Sequence, residues 1–199
     1  WTRISAFLLL IMFMYFIYLY GTYMFTYTNY FGEMVLAFIL GANFLSVDRA
    51  LPTHLTGYFR NVTEWLENHA FLILRVSFGI SLIFASVYAK FLHADLALKT
   101  VADFQLTNFF PFEAHFLVLG AFIIEVLLGV FFIIGFEIRF AAIFLLAFLT
   151  MSLLYFGEAV WPHIILAGVA VAVFLRGYGP HTLEWRILRR FGRDEEPIL

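Results

Sequence analysis

Several ionisable side chains in this chain stand among residues suited to lipid. The run YFGEAVWPHIILAG, residues 155–168, holds Glu158 and His163 five positions apart. A carboxylate and an imidazole at such spacing can exchange protons near neutral pH or ligate a metal ion. Glu125 lies midway along a second apolar run, and Arg75 and Lys90 lie towards opposite ends of a third. Charges within a bilayer are costly and normally face a bundle interior or an aqueous pocket. His93, His115 and His163 fall at the ends of three apolar runs, with Asp95, Glu113 and Glu158 close by. Gathered at one membrane face, these groups would suit zinc, copper or non-haem iron, or proton exchange with a quinol headgroup. No short metal motif of the HxxxH or HExxH kind accompanies them.

Each of these residues also has a plainer explanation. Histidines at span ends are often simply solvated, and a mid-span glutamate can tie two helices together as a hydrogen-bonded carboxyl. Lys90 near a span end is expected to snorkel towards headgroups. Arg75 either does the same or pairs with Glu137 or another acid at its end of the bundle.

The elements that must position these residues follow from composition. Hydrophobic residues make up 63% of the chain and charged residues 13%, and the mean hydropathy is +0.92. These values belong to an integral membrane protein. The apolar residues come in blocks near 4–27, 32–46, 71–92, 114–136, 139–155 and 161–176. Such blocks indicate an all-α polytopic bundle of about six membrane helices, because a membrane barrel would show alternation in short strands. The second, fifth and sixth blocks are short for a full crossing. Residues 58–69, YFRNVTEWLENH, are predicted to form a helix lying on the membrane surface. With no cysteine, the chain has no thiolate metal site and no dithiol chemistry, so a redox role requires a bound cofactor, a quinone or a partner subunit. A net charge of −2 gives no sign of nucleic-acid binding. Mid-span histidines are lacking, which disfavours haem, and the 27 Phe and 10 Tyr are expected at interfaces and in packing.

Basic residues are retained on the cytoplasmic side. Arg176, Arg186, Arg189, Arg190 and Arg193 put the C-terminus inside, and alternation through six spans then places Arg3, Arg49, Arg60 and Arg139 on the same side. Lys90 and Lys99 fall outside. The tetrapeptide YFGE occurs at Tyr30–Glu33 as well as at Tyr155–Glu158, in both cases between an incoming and an outgoing apolar block. PTHL at 52–55 and PHTL at 180–183 follow the two copies. The pattern predicts two outer turns and a duplicated element, with residues 1–47 as the remnant of an earlier repeat whose first pair precedes Trp1. Residues 48–69 are then an inner loop, 70–185 a four-helix module and 186–199 a basic cytoplasmic tail. In a turn, Glu158 would sit favourably at the positive end of the following helix, as would Glu33, whereas His163 has no such explanation.

Three runs in order carry a family likeness: LILRVSFGISLIFASVYAKF at 72–91, FPFEAHFLVLGAFIIEVLLGVFFIIGFEIRFAA at 110–142 and YFGEAVWPHIILAGVAVAVFLRGYG at 155–179. Arginine and glycine open one helix and lysine closes it; a mid-helix glutamate precedes glycine; a Gly-x-x-x-Arg turn and a short glycine-ended helix follow. This order resembles the DoxX-type membrane proteins over about residues 68–185. The resemblance implies a four-helix membrane module and, from a relative associated with thiosulfate:quinone oxidoreduction, a non-catalytic subunit anchoring partners in a larger redox complex. A quinone or proton site would draw on Glu125, His115, Glu158, His163, Lys90 and Arg75, and a less expected metal site on His93, His115 and His163. The implied location is the cytoplasmic membrane of a bacterium or archaeon, in contact with lipid and other subunits. A purely structural subunit without a ligand and a small-solute transporter are the competing readings.

Overall fold

A computed structural model describes residues 2–41, 60–156, 160–177 and 179–190. Its regular elements are all helical among these residues: α1 (Thr2–Tyr20), α2 (Thr28–Leu40), α3 (Arg60–Ser86), α4 (Ala94–Asp103), α5 (Ala114–Ile134), α6 (Ile138–Phe156), α7 (Val160–Arg176) and α8 (Leu183–Arg190). A tight 3-10 segment, Gly21–Tyr27, joins α1 to α2, and α3 continues through a π-helical segment, Val87–Leu92. The all-α membrane bundle expected from composition is the fold observed.

The stretch Thr2–Ile39 is apolar throughout, but it folds back on itself. Arg3 at the start of α1 donates from Nη2 to the Ile39 carbonyl at 3.2 Å, and ring contacts join Phe7 to Phe38 and Phe13 to Phe31. These pairs define an antiparallel hairpin. At 1.5 Å per residue, α1 is about 28 Å long and α2 about 20 Å, so α2 is short of the roughly 30 Å hydrocarbon core. Asn68–Leu92, Ala114–Ile134 and Ile138–Tyr155 are each long and apolar enough to cross, and His163–Arg176 forms a shorter apolar helix.

The first YFGE copy differs from its predicted place. Tyr30–Glu33 lies inside α2, and the reversal is made earlier by Gly21–Tyr27, where Gly21 takes a left-handed φ of 59°. Gly32 serves packing here. A Cβ on it would stand 2.5 Å from Ser77 Cβ, so its absence lets α2 lie against α3. In the second copy, Tyr155 and Phe156 end α6, while Gly157 and Glu158 lie outside the described residues. The segment predicted to lie along the membrane surface is helical from Arg60 and runs without interruption into the third span. PTHL also falls outside the described residues.

The core joins α3, α5, α6 and α7. Phe78, Phe132, Ile138, Ala141, Ala142, Ala170 and Val173 are fully enclosed, with Leu128, Leu145 and Val169 beside them. Small residues bring α3 and α5 together, because a Cβ on Gly79 would meet the Gly129 carbonyl oxygen at 2.5 Å. Outward faces carry exposed large hydrophobics such as Leu8, Phe116, Phe140, Leu154 and Leu175, as lipid contact requires.

One device recurs at helix ends. Gly41, Gly135 and Gly177 close α2, α5 and α7 with positive φ, each donating its N–H to the carbonyl four residues back. An arginine covers each: a Cβ on Gly41 would crowd Arg3, one on Gly135 would overlap Arg75, and one on Gly177 would crowd Arg139. A guanidinium suits the negative end of a helix dipole. Arg3 and Gly41 stand 38 positions apart, as do Arg139 and Gly177, and each arginine is the second residue of its 19-residue helix. The hairpins α1–α2 and α6–α7 thus share an arginine–glycine clasp at matched spacing.

Candidate functional site

At the arginine end of the bundle, Arg75 is 1% exposed. Its Nη2 donates to the His181 carbonyl at 2.9 Å, and no acid pairs with it among the described residues. The expected partner Glu137 is exposed, in a left-handed turn between α5 and α6. Arg75 therefore pins the segment before α8, which is further fixed by Thr182. The Thr182 hydroxyl donates to the Gly179 carbonyl at 2.8 Å and accepts the Trp185 N–H at 3.2 Å, capping α8. His181 packs on His69, and His69 stacks on Trp65. This arrangement is a structural closure in which one guanidinium nitrogen meets a backbone carbonyl, while Nε and Nη1 are buried without a hydrogen-bond partner among the described residues.

Towards the other end of α3, Lys90 Nζ lies 2.7 Å from Glu125 Oε2 on α5. The side chains are 20% and 15% exposed, so the pair is largely enclosed. Lys90 turns inwards onto a carboxylate and does not snorkel, because the π-helical segment adds a residue to the local turn and rotates its side chain relative to the α-helix below. The Gly79–Gly129 approach sets the helix separation that allows the contact. Ser86, fully buried, donates to the Phe122 carbonyl one turn away at 3.4 Å, and the Phe91 and Phe122 rings stack with centroids 6.0 Å apart. An ammonium and a carboxylate in contact inside a membrane can bind a polar head, transfer a proton or tie helices together.

The three histidines are not gathered. His93 packs on Tyr88, and His115 sits 3.7 Å from Glu113 with both side chains well exposed. Half-buried His163 lies near the start of α7. Among the described residues no three His, Asp or Glu side chains form a metal-ligating group, and Glu158 lies outside them. The physical reason is helix divergence: α7 packs chiefly on α6 and meets α3 at the arginine end, where Arg176 covers the Phe71 ring. A metal centre built from His93, His115 and His163 is not supported by this geometry.

A second polar group had no motif to announce it. Buried Asn29 on α2 accepts from Ser81 on α3 at 2.9 Å, and Ser81 also contacts the Thr26 carbonyl. Asn29 Nδ2 reaches Glu33 Oε1 at 3.5 Å. Ser77 and Ser81 sit one helical turn apart on α3, which is the only sequence signal for a polar seam facing α2.

Residues 70–158 match the model of the DoxX family. The match runs through α3–α6 and stops short of α7, so it covers less than the 68–185 expected. Comparison with curated proteins and with solved structures gives no match. The matched segment contains the Gly79–Gly129 crossing and the Lys90–Glu125 pair, and the chain, with its helical bundle and apolar spans, is a multi-pass membrane protein whose residues 70–158 are similar to the DoxX family.

Proposed function

We propose that this protein is a non-catalytic membrane subunit of a larger quinone-linked redox complex, in the cytoplasmic membrane of a bacterium or archaeon, with its C-terminus inside. The Lys90–Glu125 pair carries the proposal. An intramembrane ionisable pair is a candidate functional site by default. The residues fit a quinone headgroup, since Lys90 offers N–H donors for a carbonyl oxygen, Glu125 offers a proton acceptor, and Phe91 and Phe122 offer ring faces beside them. Such a head, when bound, supplies a two-electron, two-proton carrier. The chain's own part is to hold that head by Lys90 and to accept or release a proton at Glu125. The wider set of His115, Glu158, His163 and Arg75 is not needed by this reading. Exposed apolar faces of α1, including Phe7, Leu8, Ile11 and Met14, are available to lipid or to neighbouring subunits.

The test is purification of the native assembly from its membrane, followed by quinone turnover in E125Q and K90M variants. The reading expects co-purifying redox subunits and at least a tenfold loss of turnover in both variants with assembly intact. A chain that purifies alone, or variants that assemble and turn over normally, would reject it. The second outcome would instead favour the pair as a tie between α3 and α5, a role to which its mutual satisfaction is also suited. Solute flux in liposomes containing this chain alone would favour a transporter.

A further inference from the structure

A largely open cavity of about 990 Å³ lies along the hairpin α1–α2, whereas the clasp-matched hairpin α6–α7 contributes Ala141, Ala142, Ala170 and Val173 to the fully buried core. Its walls are largely apolar, formed by side chains such as Leu9, Met12, Phe13 and Met34, and one carboxylate, Glu33, faces it. The volume is that of a site for an organic ligand, and apolar walls with a few converging polar groups are the usual design of such sites.

Glu33 is held in place. Gly32 locks its turn of α2 against Ser77, and Ser81 fixes Asn29, whose amide reaches Glu33 Oε1 at 3.5 Å. That single long contact leaves most of the carboxylate's acceptor capacity open to the cavity. Among the described residues no lysine, arginine or histidine pairs with it, unlike Glu125, which has Lys90. An uncompensated carboxylate beside hydrocarbon favours a cationic partner with N–H donors. Tyr27 and Tyr30 flank the same cavity, and Tyr23 contacts Tyr27, forming an aromatic group of the kind found at headgroup level. Glu33 lies about one helical turn along α2 from Tyr30, on the side away from the hairpin reversal.

We propose that this cavity binds a membrane amphiphile whose apolar chain lies between α1 and α2 and whose primary ammonium head pairs with Glu33. A quaternary ammonium head carries the charge without an N–H donor, so it is the natural discriminating probe. This site is separate from Lys90–Glu125 and does not depend on the quinone reading.

The experiment reconstitutes the full chain into vesicles of equal parts phosphatidylethanolamine and phosphatidylcholine, then counts retained lipids by native mass spectrometry. Wild type should retain the ethanolamine lipid at least about tenfold over the choline lipid, the ratio expected for a charge-assisted hydrogen bond. E33Q should bring that preference to within about threefold while still retaining lipid. Ala37→Trp, which fills the cavity, should abolish retention of both. Equal retention by wild type, an unchanged preference in E33Q, no retained lipid in wild type, or unaltered binding in Ala37→Trp with the fold intact would each overturn the proposal. E33Q preserves side-chain size, so the test stands even where the tryptophan variant fails to fold.

Discussion

The hairpins α1–α2 and α6–α7 use the same clasp for opposite ends. Arg3 over Gly41 and Arg139 over Gly177 close them at identical spacing. Between the arms of α6–α7, alanine and valine interdigitate, with Ala141, Ala142, Ala170 and Val173 fully buried. Between the arms of α1–α2 the larger Met, Phe and Tyr side chains leave a cavity with a carboxylate in its wall. Small residues let helices approach and fill the gap, whereas bulky flexible ones hold them apart. Closure of a hairpin by its end therefore does not decide whether its interior is a core or a site.

The two membrane carboxylates should respond most differently. Glu125→Gln strands the Lys90 cation and is expected to cost about 3 kcal/mol, the low end for a broken buried pair because both groups retain some exposure. Replacing both residues with apolar ones should recover most of that loss, as a double-mutant cycle in detergent unfolding would show. Glu33→Gln leaves no cation behind and should change stability by less than about 1 kcal/mol. A comparable loss in both single variants would erase the distinction drawn between a paired and an open carboxylate.

Adding volume probes the two interiors directly. Ala170→Leu overpacks the enclosed core and should lower stability by about 2 kcal/mol, while Ala37→Leu extends into the cavity and should be tolerated within about 1 kcal/mol. Thermal denaturation of the two variants side by side measures the difference. The clasps themselves are worth less. Arg139→Met or Arg3→Met removes a cation from a helix C-terminus, with an expected loss near 1 kcal/mol for each. Equal losses would support the likeness of the two hairpin ends.

The smallest effect concerns the C-terminal helix, outside the spans. Burial, followed by the nearby Glu137 charge, raises the Glu184 carboxyl above its ordinary value, against Arg139 and the Ile138 backbone N–H, which lower it. A raised folded-state value means that docking of α8 is favoured by the protonated form. Its contribution is complete below the ordinary carboxylate range and is lost as pH rises through the raised value. Trp185 fluorescence should therefore report a slight loosening of α8 over that interval, a few tenths of a kcal/mol, and Glu184→Gln should flatten it. A loosening that increases towards acid pH would contradict the sign.

Much of the helix order was legible because long apolar runs in a chain without strand alternation have one stable form in lipid. Glu125 and Lys90 were singled out as intramembrane charges, and their contact was not, since it depends on the π-helical turn at Val87–Leu92 and on how closely Gly79 and Gly129 approach. The repeated YFGE letters predict two matching turns, but the first copy lies inside α2; the likeness between the hairpins is an arginine and a glycine 38 positions apart, too sparse to stand out in the sequence. Alternation of spans predicts the histidines at one level, but alternation fixes depth only and says nothing of lateral separation.

Sequence alone determined that this chain lives in a membrane as a helical bundle, because hydrophobicity and the demand for internal backbone hydrogen bonds act residue by residue. Tertiary structure decided which charges meet. Lys90 found Glu125, Arg75 found the His181 carbonyl, and Glu33 was left facing a cavity, because the energy of a charge in a low-dielectric interior depends on neighbours a few ångströms away that the linear order does not specify.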